Sequence, residues 1–175
     1  RRPDPGETCD MALQKEIERK YLVRKELLPP LTSGRRMAQG YLSFQPTVRV
    51  RTEAGADGAR HAYLTIKSYG LVARDEFQYE IPYAEAEALL NLAHGTVITK
   101  TRYDLPVEGR PELTWEVDVF EGENAGLITA EIELPSADCD FPRPEWLADD
   151  VSDQPAYKKA MLAQRPYTTW TSGGA

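Results

Sequence analysis

The sequence predicts an α+β fold: an eight-stranded antiparallel β-barrel with helices on its flanks. Three observations carry this expectation. Eight segments alternate polar and apolar residues with a period of two. Clusters of Gly, Pro, Asn or Asp separate several of them. Only two stretches space their apolar residues as a helix would, which leaves the strands to build the core.

Residues 1–12 are polar and read as a flexible leader without the apolar centre of a signal peptide, Met11 being a candidate start. A single domain follows over residues 13–167, and residues 168–175 read as a loose tail. Strands are predicted over 14–23, 38–43, 46–53, 61–68, 74–81, 97–103, 113–120 and 128–134. Breaks fall at Pro29-Pro30, 54–58, Gly70, 106–111 and 122–126. A helix is predicted over 82–93, opened by Pro82 and closed at Gly95, with Ala86, Leu89, Leu90 and Ala93 on one side. A second is predicted over 154–164, capped by Ser152-Asp153. Residues 135–150 carry three prolines and read as an ordered loop or short helical turn.

Composition narrows the function. A formal net charge of −7 argues against a nucleic-acid binder, which would present a basic face. No apolar run approaches the roughly 20 residues that span a bilayer. Cys9 and Cys139 have no Cys/His cluster around them, so neither a disulfide framework nor a zinc site is expected, and a reduced cytoplasmic setting is. His61 and His94 have no second ligand at metal spacing and read as solvated or capping residues.

The charges fall in pairs of one sign. Alternate strand residues face opposite sides, so Glu16, Glu18 and Lys20 share a face against Ile17, Tyr21 and Val23. Arg49 and Arg51 oppose Val48 and Val50, and Lys67 opposes Leu64 and Ile66. Arg74, Glu76, Gln78 and Glu80 oppose Phe77, Tyr79 and Ile81. Lys100 and Arg102 share a face. Glu116 and Asp118 oppose Trp115, Val117 and Val119, while Glu131 and Glu133 oppose Ile132 and Leu134. Like charges side by side on a sheet repel. The pattern makes physical sense if apolar faces pack outward and charged faces line an interior that binds something charged. Arg and Lys pairs suit phosphate oxygens, and carboxylate pairs suit Mg²⁺ or Mn²⁺. Together they point to metal-assisted chemistry on a polyphosphate.

In this order the charged pairs resemble those of the CYTH family, the triphosphate tunnel metalloenzymes. The family's opening E-x-E-x-K appears as Glu16, Glu18 and Lys20, its R-x-R as Arg49 and Arg51, and its strand lysine as Lys67. K-x-R appears as Lys100 and Arg102, E-x-D as Glu116 and Asp118, the late E-x-E as Glu131 and Glu133, and the lysine of the C-terminal helix as Lys158. The similarity runs from about residue 14 to 164. One departure is Gln78, which stands where many members carry a carboxylate; Glu80 lies two residues on as a candidate replacement.

The resemblance implies an eight-stranded tunnel most like those of short bacterial inorganic triphosphatases, binding a small triphosphate as a monomer or homodimer. It implies that Lys20, Arg49, Arg51, Lys67, Arg74, Lys100, Arg102 and Lys158 hold phosphate oxygens. Glu16, Glu18, Glu76, Glu116, Asp118, Glu131 and Glu133 would hold Mg²⁺ or Mn²⁺. Glu16, Glu18, Lys67 and Arg102 would serve catalysis. Rival readings are a class IV adenylyl cyclase, a nucleoside or thiamine triphosphatase, and a non-catalytic polyphosphate or nucleotide sensor. A cyclase needs an adenine pocket that no sequence feature marks. A thiamine triphosphatase wants an aromatic platform, and Trp115 falls on the apolar face while Trp146 and Trp170 lie outside the main strands.

Overall fold

The computed structural model describes residues 17–69 and 75–173, the last three by backbone alone; Glu16 and Arg74 therefore lie outside the described residues. One antiparallel sheet dominates. Its strands are β1 (Ile17–Val23), β2 (Arg35–Phe44), β3 (Thr47–Ala54), β4 (Arg60–Lys67), β5 (Glu76–Glu80), β6 (His94–Val107), β7 (Arg110–Phe120), β8 (Ile128–Leu134) and β9 (Leu147–Asp150). They run in the order β5-β4-β3-β2-β6-β7-β8-β1-β9. Two short helices, α1 (Tyr83–Leu90) and α2 (Lys159–Gln164), complete the frame. Among the described residues no helix is long and apolar enough to cross a membrane.

Among the described residues the sheet has nine strands rather than the expected eight. The addition, β9, follows Pro142 and Pro144 and pairs with β1 through Tyr21 opposite Asp150 and Val23 opposite Leu147. At four residues it is too short to show a period, and the prolines before it hide it in a loop signal. β6 is also longer than predicted and begins at His94, which opens a strand instead of ending a helix.

The outward faces are apolar, as the alternation requires. Trp115 is buried at the centre of the largest core, edge-on to Tyr21 (ring centroids 5.9 Å), Phe141 (5.5 Å) and Trp146 (5.5 Å). Such edge-to-face pairs add to the area term. On β3 and β4, outward Val50 and Ala62 meet Ala86 of α1, with Leu89 and Leu90 against them. Gly40 lets α1 approach: a methyl there would crowd Ala93 and Leu90.

The predicted helix over 154–164 is broken in two. A 3-10 turn (Pro155–Tyr157) precedes α2, and Lys158 between them is extended (φ −70°, ψ 141°). The Tyr157 carbonyl accepts a bond from Lys20 Nζ (3.2 Å). Residues Tyr167–Gly173 form a 3-10 helix. Its Trp170 ring lies edge-on to Tyr157 and Tyr167, each at 5.1 Å. Helix α2 closes one end of the inward face, where Leu162 and Ala163 pack with Tyr41, Ile98 and Phe120.

Gly95 sets that closure. Its φ of +71° is left-handed, and a Cβ there would run into the Ala163 carbonyl oxygen of α2. Gly58 has a similar φ of +84° but open space around it. Gly58→Ala should therefore cost only the backbone strain, about 1–3 kcal/mol. Gly95→Ala should cost more, because a backbone carbonyl cannot turn aside as a side-chain tip can. Urea midpoints of the two variants, measured side by side, check this order.

Candidate active site

Register places the charged pairs on one continuous inward face. Partners across an antiparallel ladder point to the same side. Lys20 stands opposite Glu131, and Glu18 opposite Glu133. Glu131 stands opposite Glu116, and Arg102 opposite Asp118. Arg51 lies opposite Gln39, Arg49 opposite Tyr41 and Thr65, and Lys67 opposite Glu76. The sheet curls so that β5, at one end of the strand order, and β1, next to the other end, line one cavity of about 650 Å³. Among the described residues its lining holds seven cations, Lys20, Arg49, Arg51, Lys67, Arg102, Lys158 and Lys159, against three carboxylates, Glu18, Glu76 and Glu131. Positive charge is in excess there although the whole chain is acidic.

Beneath this lining sits a buried ion cluster. Asp118 is fully buried and accepts from Lys100 Nζ (2.6 Å) and from Arg102 Nε (2.7 Å) and a terminal guanidinium nitrogen (2.8 Å). Burial alone would raise its pKa, but Lys100 and Arg102 hold it well below the usual carboxylate range. Arg102 also donates to Glu116 and lies 3.6 Å from Glu131 Oε2. Lys100 and Asp118 thus stand behind the cavity wall, and Arg102 reaches through it.

Glu18 and Glu131 form the second feature. Burial, with the adjacent Glu131 charge, raises Glu18 from 4.5 to about 7. Burial would also raise Glu131, but Lys159 and Lys20 outweigh it and bring it below its ordinary value. Glu131 Oε1 is buried without a hydrogen-bond partner, and the Lys20 ammonium lies 3.5 Å away. A spare buried carboxylate oxygen beside a second carboxyl is an oxygen-rich spot that suits a hard divalent cation. Among the described residues, no three His, Cys, Asp or Glu side chains already stand as a metal cage.

The third feature is the wall made by β3 and β4. The Nε atoms of Arg49 and Arg51 are buried without hydrogen bonds. Glu53 Oε1 is 3.1 Å from Arg51 Nε as an ion partner, but off the N–H direction. Arg49 donates from a terminal nitrogen to Thr65 Oγ1 (3.4 Å). Burial lowers the Arg51 pKa, with Arg49 and Arg102 adding to the effect against Glu53. Buried donors left open on neighbouring guanidinium groups are the signature of an anion site.

The remaining expected residues scatter. Gln78 lines the cavity and accepts from Thr65 Oγ1 (3.3 Å), whereas Glu80 pairs with His61 (3.1 Å) on an exposed rim. Glu80 thus brings no carboxylate into the cavity lining. Glu133 is exposed and outside the lining, and Glu116 is half-exposed beside Arg102. Lys159, Tyr41 and Thr47 line the cavity without having been singled out. Tyr41 and Thr47 were open to the parity argument, since each stands in a strand opposite an inward residue. Lys159 was not, because facing in a short helix after an extended residue has no period to read.

Residues 14–167 match the CYTH domain. A protein of Acetivibrio thermocellus named inorganic triphosphatase is 40% identical over 155 residues, covering 87% of this chain and 96% of that protein. One of the same name from Nitrosomonas europaea is 33% identical over 152 residues, covering 85% and 96%. A crystal structure of an inorganic triphosphatase aligns with a TM-score of 0.65 at 30% identity, over 85% of this chain and 94% of that one.

Two outcomes follow from the electrostatics. Asp118→Ala strips the buried Lys100 of its ion partner and Arg102 of two of its hydrogen bonds, and should cost about 3–5 kcal/mol in urea unfolding. In the metal-free protein one carboxyl should titrate near 7 by carbon NMR and vanish in Glu18→Gln. The sign for stability is fixed: a raised folded pKa favours the fold fully below 4.5, and that contribution is lost as pH climbs through about 7.

Proposed function

Because this chain belongs to the CYTH domain family, we propose that it hydrolyses inorganic tripolyphosphate to pyrophosphate and phosphate in the inward cavity, the curled sheet serving as a tunnel. The observation that carries this reading is the cavity's excess of cations, with the Arg49 and Arg51 Nε donors still open.

The roles divide by wall. Arg49, Arg51 and Lys67 on β3 and β4 bind the phosphate chain, with Lys20, Arg102, Lys158 and Lys159 closing around it. Lys100 and Asp118 act from behind, fixing the Arg102 guanidinium so that it need not reorganise as charge develops. Glu131 with its open oxygen would hold Mg²⁺ or Mn²⁺, with Glu76 lining the cavity as a further donor. When bound, the ion draws charge from the phosphate oxygens and acidifies the attacking water. Water attacks the terminal phosphorus, the bond from that phosphorus to its bridging oxygen breaks, and pyrophosphate leaves with its new negative charge held by the arginines. With Glu131 holding the ion, Glu18 beside it would take the water's proton, its burial raising its affinity for a proton. Glu16 and Arg74, outside the described residues, keep their expected roles as a water-orienting carboxylate and a phosphate cation.

The test is phosphate release from tripolyphosphate, ATP, thiamine triphosphate and longer polyphosphate, each with Mg²⁺ or Mn²⁺, with cyclic AMP assayed in the ATP arm. Tripolyphosphate should be the best substrate, and chelation should abolish turnover. Arg49→Ala and Arg51→Ala should each lower kcat/KM by about 10²–10³, the usual scale for losing one fixed donor to the transition state. Unchanged turnover in Lys67→Ala and Glu131→Ala would sink the assignment.

A further inference from the structure

A second cavity of about 410 Å³ lies further along the same face of β3. Arg51 lines the first cavity and Glu53, two residues on, lines the second. Residues two apart on a strand share a face, and their side chains form an ion pair at 3.1 Å. The pair therefore stands where one cavity gives way to the other. The character of the lining changes there. The second cavity holds Glu53 and Asp57; its one arginine, Arg35, is already engaged with Asp104 (2.7 Å), and its His61 lies against Glu80 (3.1 Å). A phosphate chain that fills the cationic cavity would meet, past Arg51, a carboxylate and no free positive side chain among the described residues of that lining.

We propose that Glu53 is a chain-length stop. It limits the substrate to what the cationic cavity holds, by placing a fixed negative charge beside Arg51 at the junction of the two cavities. The inference builds on the triphosphatase reading and adds the residue that separates tripolyphosphate from longer linear polyphosphates. Like charges brought together at a recognition surface are strongly disfavoured, so a fourth phosphoryl group bears the penalty while a third does not. Glu53 touches no reacting atom in this scheme; it acts on which substrates fit.

The experiment compares kcat/KM for tripolyphosphate and tetrapolyphosphate, with Mg²⁺ or Mn²⁺, in the wild type, Glu53→Gln and Glu53→Ala. Removing the charge should raise the tetrapolyphosphate-to-tripolyphosphate ratio by about tenfold. Two variants are used so that one folded protein suffices, and circular dichroism identifies it. A merely structural role would lower both substrates together and leave the ratio where it was. An unchanged ratio, or loss of all activity in a folded variant, overturns the length stop while the triphosphatase reading stands. No phosphate release from tripolyphosphate by the wild type overturns that reading and this inference with it.

Discussion

Asp118 sits at the bottom of a chain of charges on which the inward face depends. It answers Lys100 and Arg102 together, each of them buried. Arg102 passes on to Glu131, Glu131 faces Lys20, and Lys20 donates to the Tyr157 carbonyl just before α2. This sequence of contacts joins β6, β7, β8 and β1 to the C-terminal segment. Buried charges of this kind seldom stabilise relative to an apolar core, but leaving any one unanswered is costly. The network therefore reads as a specification of geometry: each member has a partner that fixes where it points.

The same network makes the cavity lopsided. On the β6-β7-β8-β1 side, carboxylates and cations mostly answer each other. On the β3-β4 side, Arg49 and Arg51 keep open donors. On the first side, burial and the Glu131 charge raise the pKa of Glu18 to about 7. The second side is short of an anion. A divalent ion and a phosphate chain thus meet two separate deficits of one surface, and each would raise the other's affinity by relieving the charge it faces.

Much of this was legible because a strand's period of two is strict. Once Ile17, Val50, Trp115 and Ile132 are assigned outward, the charged pairs on the same strands must face in, whatever the loops do. What escaped has a shared cause: no period was there to read. Four-residue β9 follows prolines, Lys158 is extended where helical spacing suggested a helix, and Lys159 reaches the cavity from a helix of six residues. Parity also says which side a residue faces but not how deep it sits. Lys100, Arg102, Asp118 and Glu116 all face inward, yet Lys100 and Asp118 are sealed behind the lining and Glu116 is half-exposed. Depth comes from curling of the sheet and from the α2 seal, which are properties of the assembled chain.

The opening E-x-E-x-K pattern shows how these levels combine. Lys20 alone could be one more surface lysine. Register sets it opposite Glu131, and the turn before α2 then offers it a carbonyl, so it joins the two distant ends of the domain. Glu18, on the same face of the same strand, has no such cation at bonding distance among the described residues and instead shares its burial with a second carboxylate. One strand therefore contributes an ammonium already anchored and a carboxyl still open to a proton or a metal. A phosphoanhydride hydrolase needs both: groups that do not move, to hold the phosphates, and one that changes its charge state, to manage the water.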